Sequence, residues 1–339
     1  MGLLERIRFT KDKIKARIVN KDGILYNIAY SLILQCEKLY HRFKPKKDVL
    51  YMTLLVKDEE DIIRENILFH HFMGVDGFIV TCNNCSDNTV EILNNLKKHG
   101  ICIEIIEEPE VAYNQHVWVD RMIRLAKDKY DATWVINADA DEFWYAVDGD
   151  LKCDINKVVS KSGSNVLKTF MINFCLVENK KDFLNSTYFI NRSLLPFEME
   201  QLGVVSKRFS EAYFRTKVIH TTKGYKQIAM GNHSVEMDNI KENFCPYIKV
   251  YHYIVRNYNH FEQKVLKGIE GISQIKDESK GKHWRLWYSY YKKGKLKEAY
   301  EKEFALNIID KLFDYGVVVR DNSVANYLKY IGVLKEIEE

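Results

Sequence analysis

The stretch Thr133-Trp134-Val135-Ile136-Asn137-Ala138-Asp139-Ala140-Asp141-Glu142-Phe143-Trp144 decides how this chain is read. An apolar run of β type ends abruptly in two carboxylates one residue apart, and a third carboxylate follows at once. A buried strand that delivers acidic side chains to its carboxyl end suits an α/β protein that holds a hard metal ion and a phosphate-bearing ligand. Isolated carboxylates at such a position are costly, so the pattern predicts a positive partner. The Asp-x-Asp spacing alone is a weak motif, because an Asp content this high yields it about once by chance. Asp148-Gly149-Asp150 illustrates this: it contains Gly and reads as a solvated turn.

Outward from this stretch, strands and helices alternate. Val49 to Val56 reads as a buried strand, and Asp58-Glu59-Glu60-Asp61 is acidic where a helix begins, which the helix dipole favours. Ile62 to Met73 carries apolar residues at helical spacing, Gly77 to Thr81 is a second strand, and Thr89 to His99 a second helix closed by Gly100. A third strand over Ile101 to Ile106, a helix over 114–130 and a fourth strand over Ala132 to Asn137 complete the series. The alternation predicts a doubly wound, mostly parallel sheet with right-handed crossovers. Three polar clusters then fall together at strand ends: Lys57-Asp58-Glu59, Asn83 to Asp87, and Asp139 to Glu142. From 151 to 255 short strands are expected at Asn165 to Phe170, Lys217 to His220 and Tyr247 to Tyr253, and beyond 257 helices dominate. Trp284 to Tyr291 is aromatic-rich, as a helix-packing face or an acceptor platform would be.

The chain has 339 residues, enough for one large or two modest domains. No segment reaches the roughly 18 apolar residues of a membrane span. Gly23 to Cys36 is the best candidate, and it carries Asn27, Ser31 and Gln35 and lacks a signal-peptide cleavage site. Seven irregularly spaced cysteines fit a reducing compartment, so a cytoplasmic location is expected. Cys82-Asn83-Asn84-Cys85 reads as a loop, since no second pair completes a zinc site. Charge is uneven. Residues 1–47 hold twelve Lys or Arg against four acids, a net +8 that leaves −4 for the remainder of a chain of net charge +4. This basic leader suits either an anionic membrane surface or solvated helices packed on the domain. Nothing beyond it forms a basic stripe with stacking aromatics, which argues against nucleic acid.

Several stretches resemble one enzyme family. Thr53 to Asp61 resembles the first strand and acidic turn of family 2 type glycosyltransferases. Asn83 to Leu93 resembles their second-strand loop, with Asn83 where an Asp is usual. Trp134 to Phe143 is similar to the Asp-x-Asp-Glu-Phe signature of the family 2-like branch, and Gly231 to Ser234 and His252 to Arg256 resemble its later motifs. The resemblance spans residues 48–265 and implies a GT-A fold: a Rossmann-like, mostly parallel sheet flanked by helices, here with extra N-terminal and C-terminal helices. Three regions follow: the leader 1–47, a catalytic domain 48–256 and a helical region 257–339.

The resemblance further implies a nucleotide-sugar donor, a UDP-sugar above all, and Mg²⁺ or Mn²⁺. Lys57, Asp58, Glu59, Asn83 and Asp87 would line base and ribose, while Asp139 and Asp141 would meet ribose and metal. His233 and His252 both match the position of a late histidine ligand; the alternative for each is a hydrogen-bonded structural role. Asp141 and Glu142 are the expected catalytic carboxylates. Lys217, like Lys207 and Arg208, could hold the diphosphate by charge or lie on a solvated face. Glu198, Glu200, Glu211 and Glu236 lie where a general base could sit, and the sequence does not choose among them. The expected acceptor is a surface polysaccharide or glycolipid of capsule or lipopolysaccharide type. Two other readings compete: a nucleotidyltransferase, disfavoured because Lys57 to Glu60 lacks a Gly-rich phosphate loop, and a non-catalytic membrane adaptor built on the leader.

Overall fold

The computed structural model describes residues 48–109, 115–175, 184, 186–204, 215–272, 281–304 and 306–334. The leader 1–47 lies outside them, as do Lys207, Arg208 and Glu211.

The first half is a regular alternation: β1 (Leu50–Val56), α1 (Ile63–Phe72), β2 (Gly77–Asn83), α2 (Thr89–Lys98), β3 (Ile103–Glu108), α3 (Gln115–Tyr130) and β4 (Trp134–Ala138). The strands read as continuous apolar runs because both faces of the sheet are covered. Leu50, Met52 and Leu54 enter one core with Ile63, Ile67 and Phe69 of α1 and Leu93 of α2. Tyr51, one residue out of phase, enters the opposite core with Val119, Met122 and Ile123 of α3. Gly77 is required on that face: a Cβ there would stand 2.5 Å from the Tyr51 ring, which itself stacks on Tyr130 at 5.0 Å.

The second half is mixed. It comprises β5 (Glu142–Ala146), α4 (Leu151–Ser162), β6 (Val166–Asn173), β7 (Tyr188–Ile190), α5 (Pro196–Leu202), β8 (Thr216–Thr221), β9 (Tyr225–Ile228), β10 (Val235–Met237), β11 (Glu242–Phe244) and β12 (Ile248–His252). Asp150 caps α4 by accepting from the Cys153 N–H at 2.9 Å, and Gly149 has a φ of 75°. The second Asp-x-Asp copy is therefore a turn and helix cap.

The main sheet runs β3-β2-β1-β4-β8-β6-β12-β5, with β11 added beside β6. β1 lies parallel to β2 and to β4, and β2 is parallel to β3. β8 is antiparallel to both β4 and β6, and β5 runs antiparallel to β12. This is the mixed α/β, mainly parallel architecture of the GT-A type. From β1 the chain winds outward to β2 and β3 and then returns to the other side at β4, so the winding reverses between β1 and β4. In open α/β sheets that reversal leaves a crevice at the carboxyl ends of the two strands.

The tail supplies α6 (Tyr258–Ile272), α7 (Lys282–Lys292), α8 (Leu296–Phe304), α9 (Ile309–Asp314), β13 (Val318–Arg320) and α10 (Ser323–Tyr330). Contacts cross the 256/257 position. β13 pairs with β7, and Tyr327 of α10 meets Phe69 of α1 edge to face, ring centres 5.2 Å apart. Val324, Leu328, Ile331 and Leu334 belong to the same core as β1. The aromatic stretch of α7 packs against α6: Trp287 meets Phe261 at 5.1 Å. A Cβ on Gly268 of α6 would stand 2.4 Å from the Trp284 ring.

Candidate active site

The acidic turn at the end of β4 is built from below by α1. The Asn66 side-chain amide donates to the carbonyls of Ala140 and Glu142 at 2.8 and 2.9 Å. His70, one helical turn on, accepts the Trp144 N–H at Nε2, 2.9 Å away, while Nδ1 donates to the Asn66 carbonyl. Both partners fix the tautomer, and burial pushes the imidazole down to about 3, so it stays neutral. Neither residue was expected from sequence. The available signal was Asn66-x-x-x-His70, a polar pair at helical spacing between the apolar residues Ile63, Ile67 and Phe69.

The turn brings Asp139, Asp141 and Glu142 together, as the sequence predicts. Glu142 opens β5 and pairs in register with His252 of β12. It is fully buried, its carboxylate 2.7 Å from the Lys217 ammonium of β8. Lys217 also lies 3.4 Å from Asp139. Burial opposes the charge on Lys217, but Glu142 and Asp139 outweigh it and raise its pKa, so it remains an ammonium. Lys217 is thus at the acidic tip and not on a solvated face.

Asp141 is buried, and burial alone would raise its carboxyl. His252, Lys264 and Arg256 override that and hold it well below the carboxylate range. His252 Nε2 and Lys264 Nζ each stand 3.4 Å from it. Glu59 is the opposite case: burial pushes it up to about 7, with Arg256 pulling against and Asp141 adding to the rise. Arg256 Nη2 donates to Glu59 at 2.8 Å and Nε to Asp61 at 2.6 Å. These are the positive partners that the acidic strand end called for.

The β1 and β2 loops are knitted to each other. Asp58, at a positive φ of 54°, accepts from the backbone N–H and hydroxyl of Ser86 at 2.7 and 3.1 Å and pairs with Lys267. Asp87 accepts from the Glu60 N–H with one oxygen, which ties the two loops together, and from the Thr89 N–H two residues on with the other. Asn83 donates to the Glu108 carbonyl at 3.3 Å, and Lys57 is exposed. Glu198 is committed elsewhere, held by Arg192 at 2.7 Å and by the Leu195 N–H. Lys264 and Lys267 carry no sequence signal of their own, because α6 reads as an ordinary amphipathic helix.

Among the described residues, no group of three or more His, Cys, Asp or Glu side chains could hold a metal ion by itself. The donor set does fit a hard cation shared with phosphate oxygens, which needs only one or two protein ligands. The Asp139 side chain is 41% exposed. His233 lies within electrostatic reach of it, and its Nδ1 donates to the Thr216 carbonyl at 2.8 Å, which leaves the Nε2 lone pair available.

An open α/β sheet whose winding reverses beside a charged strand tip offers a ligand crevice at the carboxyl ends of its strands. Residues 52–302 match the model of glycosyltransferase family 92. The chain belongs to that family, and it is a glycosyltransferase enzyme. The family is thus 92, while the motifs resemble the family 2-like branch. No curated protein sequence matches it. Among solved structures it is similar to S. aureus TarS 1–349 in complex with UDP, at 11% identity over 78% of this chain and 74% of that chain, with a TM-score of 0.39. It is also similar to the mannosyltransferase PcManGT from Pyrobaculum calidifontis in complex with GDP-Man and Mn²⁺, at 11% identity over 95% and 98%, TM-score 0.38. Glucosyl-3-phosphoglycerate synthase from Mycobacterium tuberculosis with Mg²⁺ and UDP matches at 17% identity over 42% and 47%, TM-score 0.25. Among the described residues no helix is long and apolar enough to cross a membrane.

Proposed function

We infer that this enzyme takes a nucleotide-sugar donor, with a UDP-sugar favoured, and transfers the sugar to a hydroxyl of a surface polysaccharide or glycolipid. The reading is carried by the meeting of Asp139, Asp141 and Glu142 with Lys217, His252 and Lys264 at the carboxyl end of β4. In transfer, the acceptor oxygen bonds to the anomeric carbon and its proton passes to a base. The bond from that carbon to the diphosphate breaks, and its electron pair stays on the diphosphate. The protein's work is to place the donor and to meet the charge that develops on the leaving oxygen. Asp139 and His233 are the groups suited to hold Mg²⁺ or Mn²⁺ with the phosphates, and such an ion supplies Lewis-acid compensation of that charge. Asp58, Glu59 and Asn83 stand at the ends of β1 and β2, and base and ribose contacts are expected there. Lys217 locks Glu142 and orients Asp139.

Replacing both Asp139 and Asp141 with Ala tests this. Nucleoside diphosphate release with a panel of nucleotide sugars is expected to fall roughly 100- to 1,000-fold, the range for losing an aligned electrostatic group. Undiminished release would refute the assignment, and pyrophosphate in its place would mean nucleotidyl transfer. For the leader, removal of residues 1–47 is expected to abolish binding to anionic vesicles while sparing turnover.

A further inference from the structure

The carboxylates along the seam between β1 and β4 meet two kinds of cation. Lys217 and Arg256 have side chains only 3% and 2% exposed; Lys217 stands 2.7 Å from Glu142 and 3.4 Å from Asp139, and Arg256 2.8 and 2.6 Å from Glu59 and Asp61. Lys264 and Lys267 are 34% and 35% exposed. Three residues apart on α6, they share one face of that helix. Lys264 holds Asp141, just beyond β4, at only 3.4 Å while donating to the Ile254 carbonyl at 2.8 Å. Lys267 holds Asp58, just beyond β1. The two ammonium groups therefore stand over the crevice where the winding of the sheet reverses, the place where such sheets take ligands.

Building on the glycosyltransferase reading above, we propose that Lys264 and Lys267 form the subsite for the donor's diphosphate, resting on Asp141 and Asp58 in the free protein and transferring to the phosphate oxygens when the donor enters. Three features support this. A lysine is a compact charge on a flexible stem, suited to changing partners, whereas the buried, doubly paired Arg256 is fixed. The lysine ends of the two pairs are 34% and 35% exposed, so each ammonium can turn toward a second acceptor without leaving water. Neither carboxylate is stranded by the exchange: Asp141 stays in the field of the fixed Arg256, and Asp58 keeps the Ser86 N–H and hydroxyl. The diphosphate carries more charge than either carboxylate and accepts from both ammonium groups at once.

The test is calorimetric titration of UDP, GDP, CDP and ADP, and of their parent nucleosides, into the full chain, in Mn²⁺ and in EDTA. Wild type is compared with Lys264→Ala, Lys267→Ala and Lys264→Arg. Each alanine variant is expected to weaken nucleoside diphosphate binding roughly 10- to 100-fold, the range for a hydrogen bond to a charged group. Nucleoside binding is expected to stay unchanged, and Lys264→Arg to retain most of the affinity. Unchanged diphosphate affinity in both alanine variants overturns the subsite and leaves the glycosyltransferase reading standing. Equal loss for nucleoside and diphosphate also overturns it, since the whole pocket would then have moved. A loss confined to Mn²⁺ would mean the lysines act through the carboxylates and a metal rather than on phosphate, and overturns it too. Failure of wild type to bind any of the four diphosphates would remove the nucleotide-sugar reading itself, and the subsite with it.

Discussion

The two halves of the sheet contribute opposite charges to the same place. β1, β2 and β4 and their loops bring Asp58, Glu59, Asp139 and Asp141; β8, α6 and the segment between β12 and α6 bring Lys217, Lys264, Lys267 and Arg256, against the single acid Glu142 of β5. Taken alone, the first half is an anionic trough that calls for positive charge. With the second half in place, most of that charge is already offset by the protein's own cations, and Asp139 is left exposed. A carboxylate cluster in a sequence therefore announces a need for positive charge without saying what supplies it.

Deleting a buried cation should break this pairing most severely. Lys217→Met strands Glu142 in the core and is expected to cost about 3–5 kcal/mol of unfolding free energy, the range for one partner lost from a buried pair. Adding Glu142→Gln should restore much of it. If Lys217→Met unfolds at the wild-type denaturant concentration, the acidic turn does not depend on the buried cation of β8. Next in size is the α1 support of the acidic turn: Asn66→Ala leaves the Ala140 and Glu142 carbonyls without their donor, for about 1–3 kcal/mol in chemical denaturation.

Acid sharpens the same contrast through His70. In the unfolded chain the imidazole takes a proton near its ordinary value; in the folded protein burial holds it off until about 3. Between those values the unfolded state binds more protons, so stability is lost as pH falls below the ordinary histidine range. His70→Gln keeps an acceptor for the Trp144 N–H without the titration. Its plot of stability against pH from 6 to 4 should be shallower by about 1.4 kcal/mol per pH unit. An unchanged slope would mean that His70 is not the group excluded. The smallest effect belongs to the rim: Arg121, 43% exposed and 2.9 Å from Glu108, should cost under about 1 kcal/mol when changed to Ala.

The first half was legible because its strands are buried on both faces and its helices are amphipathic, so period and punctuation agree along the chain from Leu50 to Ala138. Element boundaries shifted by a residue or two, and β3 begins at Ile103 rather than Ile101. The second half was harder to read because its strands are short and its neighbours distant: β6 lies between β8 and β12, neither its neighbour in sequence. The convergence of Asp139, Asp141 and Glu142 followed from the strand-end rule, whereas for Lys217 the sequence left a phosphate contact and a solvated face both open. The roles of Asn66, His70, Lys264 and Lys267 did not. Each acts on a residue 74 or more positions away, and no local pattern encodes such a pairing.

The position of α10 bears on how the chain matures on the ribosome. Leu328, Ile331 and Leu334 seal the flank formed by Phe69 and Phe143, although those partners are made more than 180 residues earlier. Until α10 has left the exit tunnel, the Phe69 flank of α1 lacks its Tyr327 cover in the nascent protein. A chain halted near residue 302, where the family match ends, would carry the whole charged seam and still offer chaperones a sticky wound.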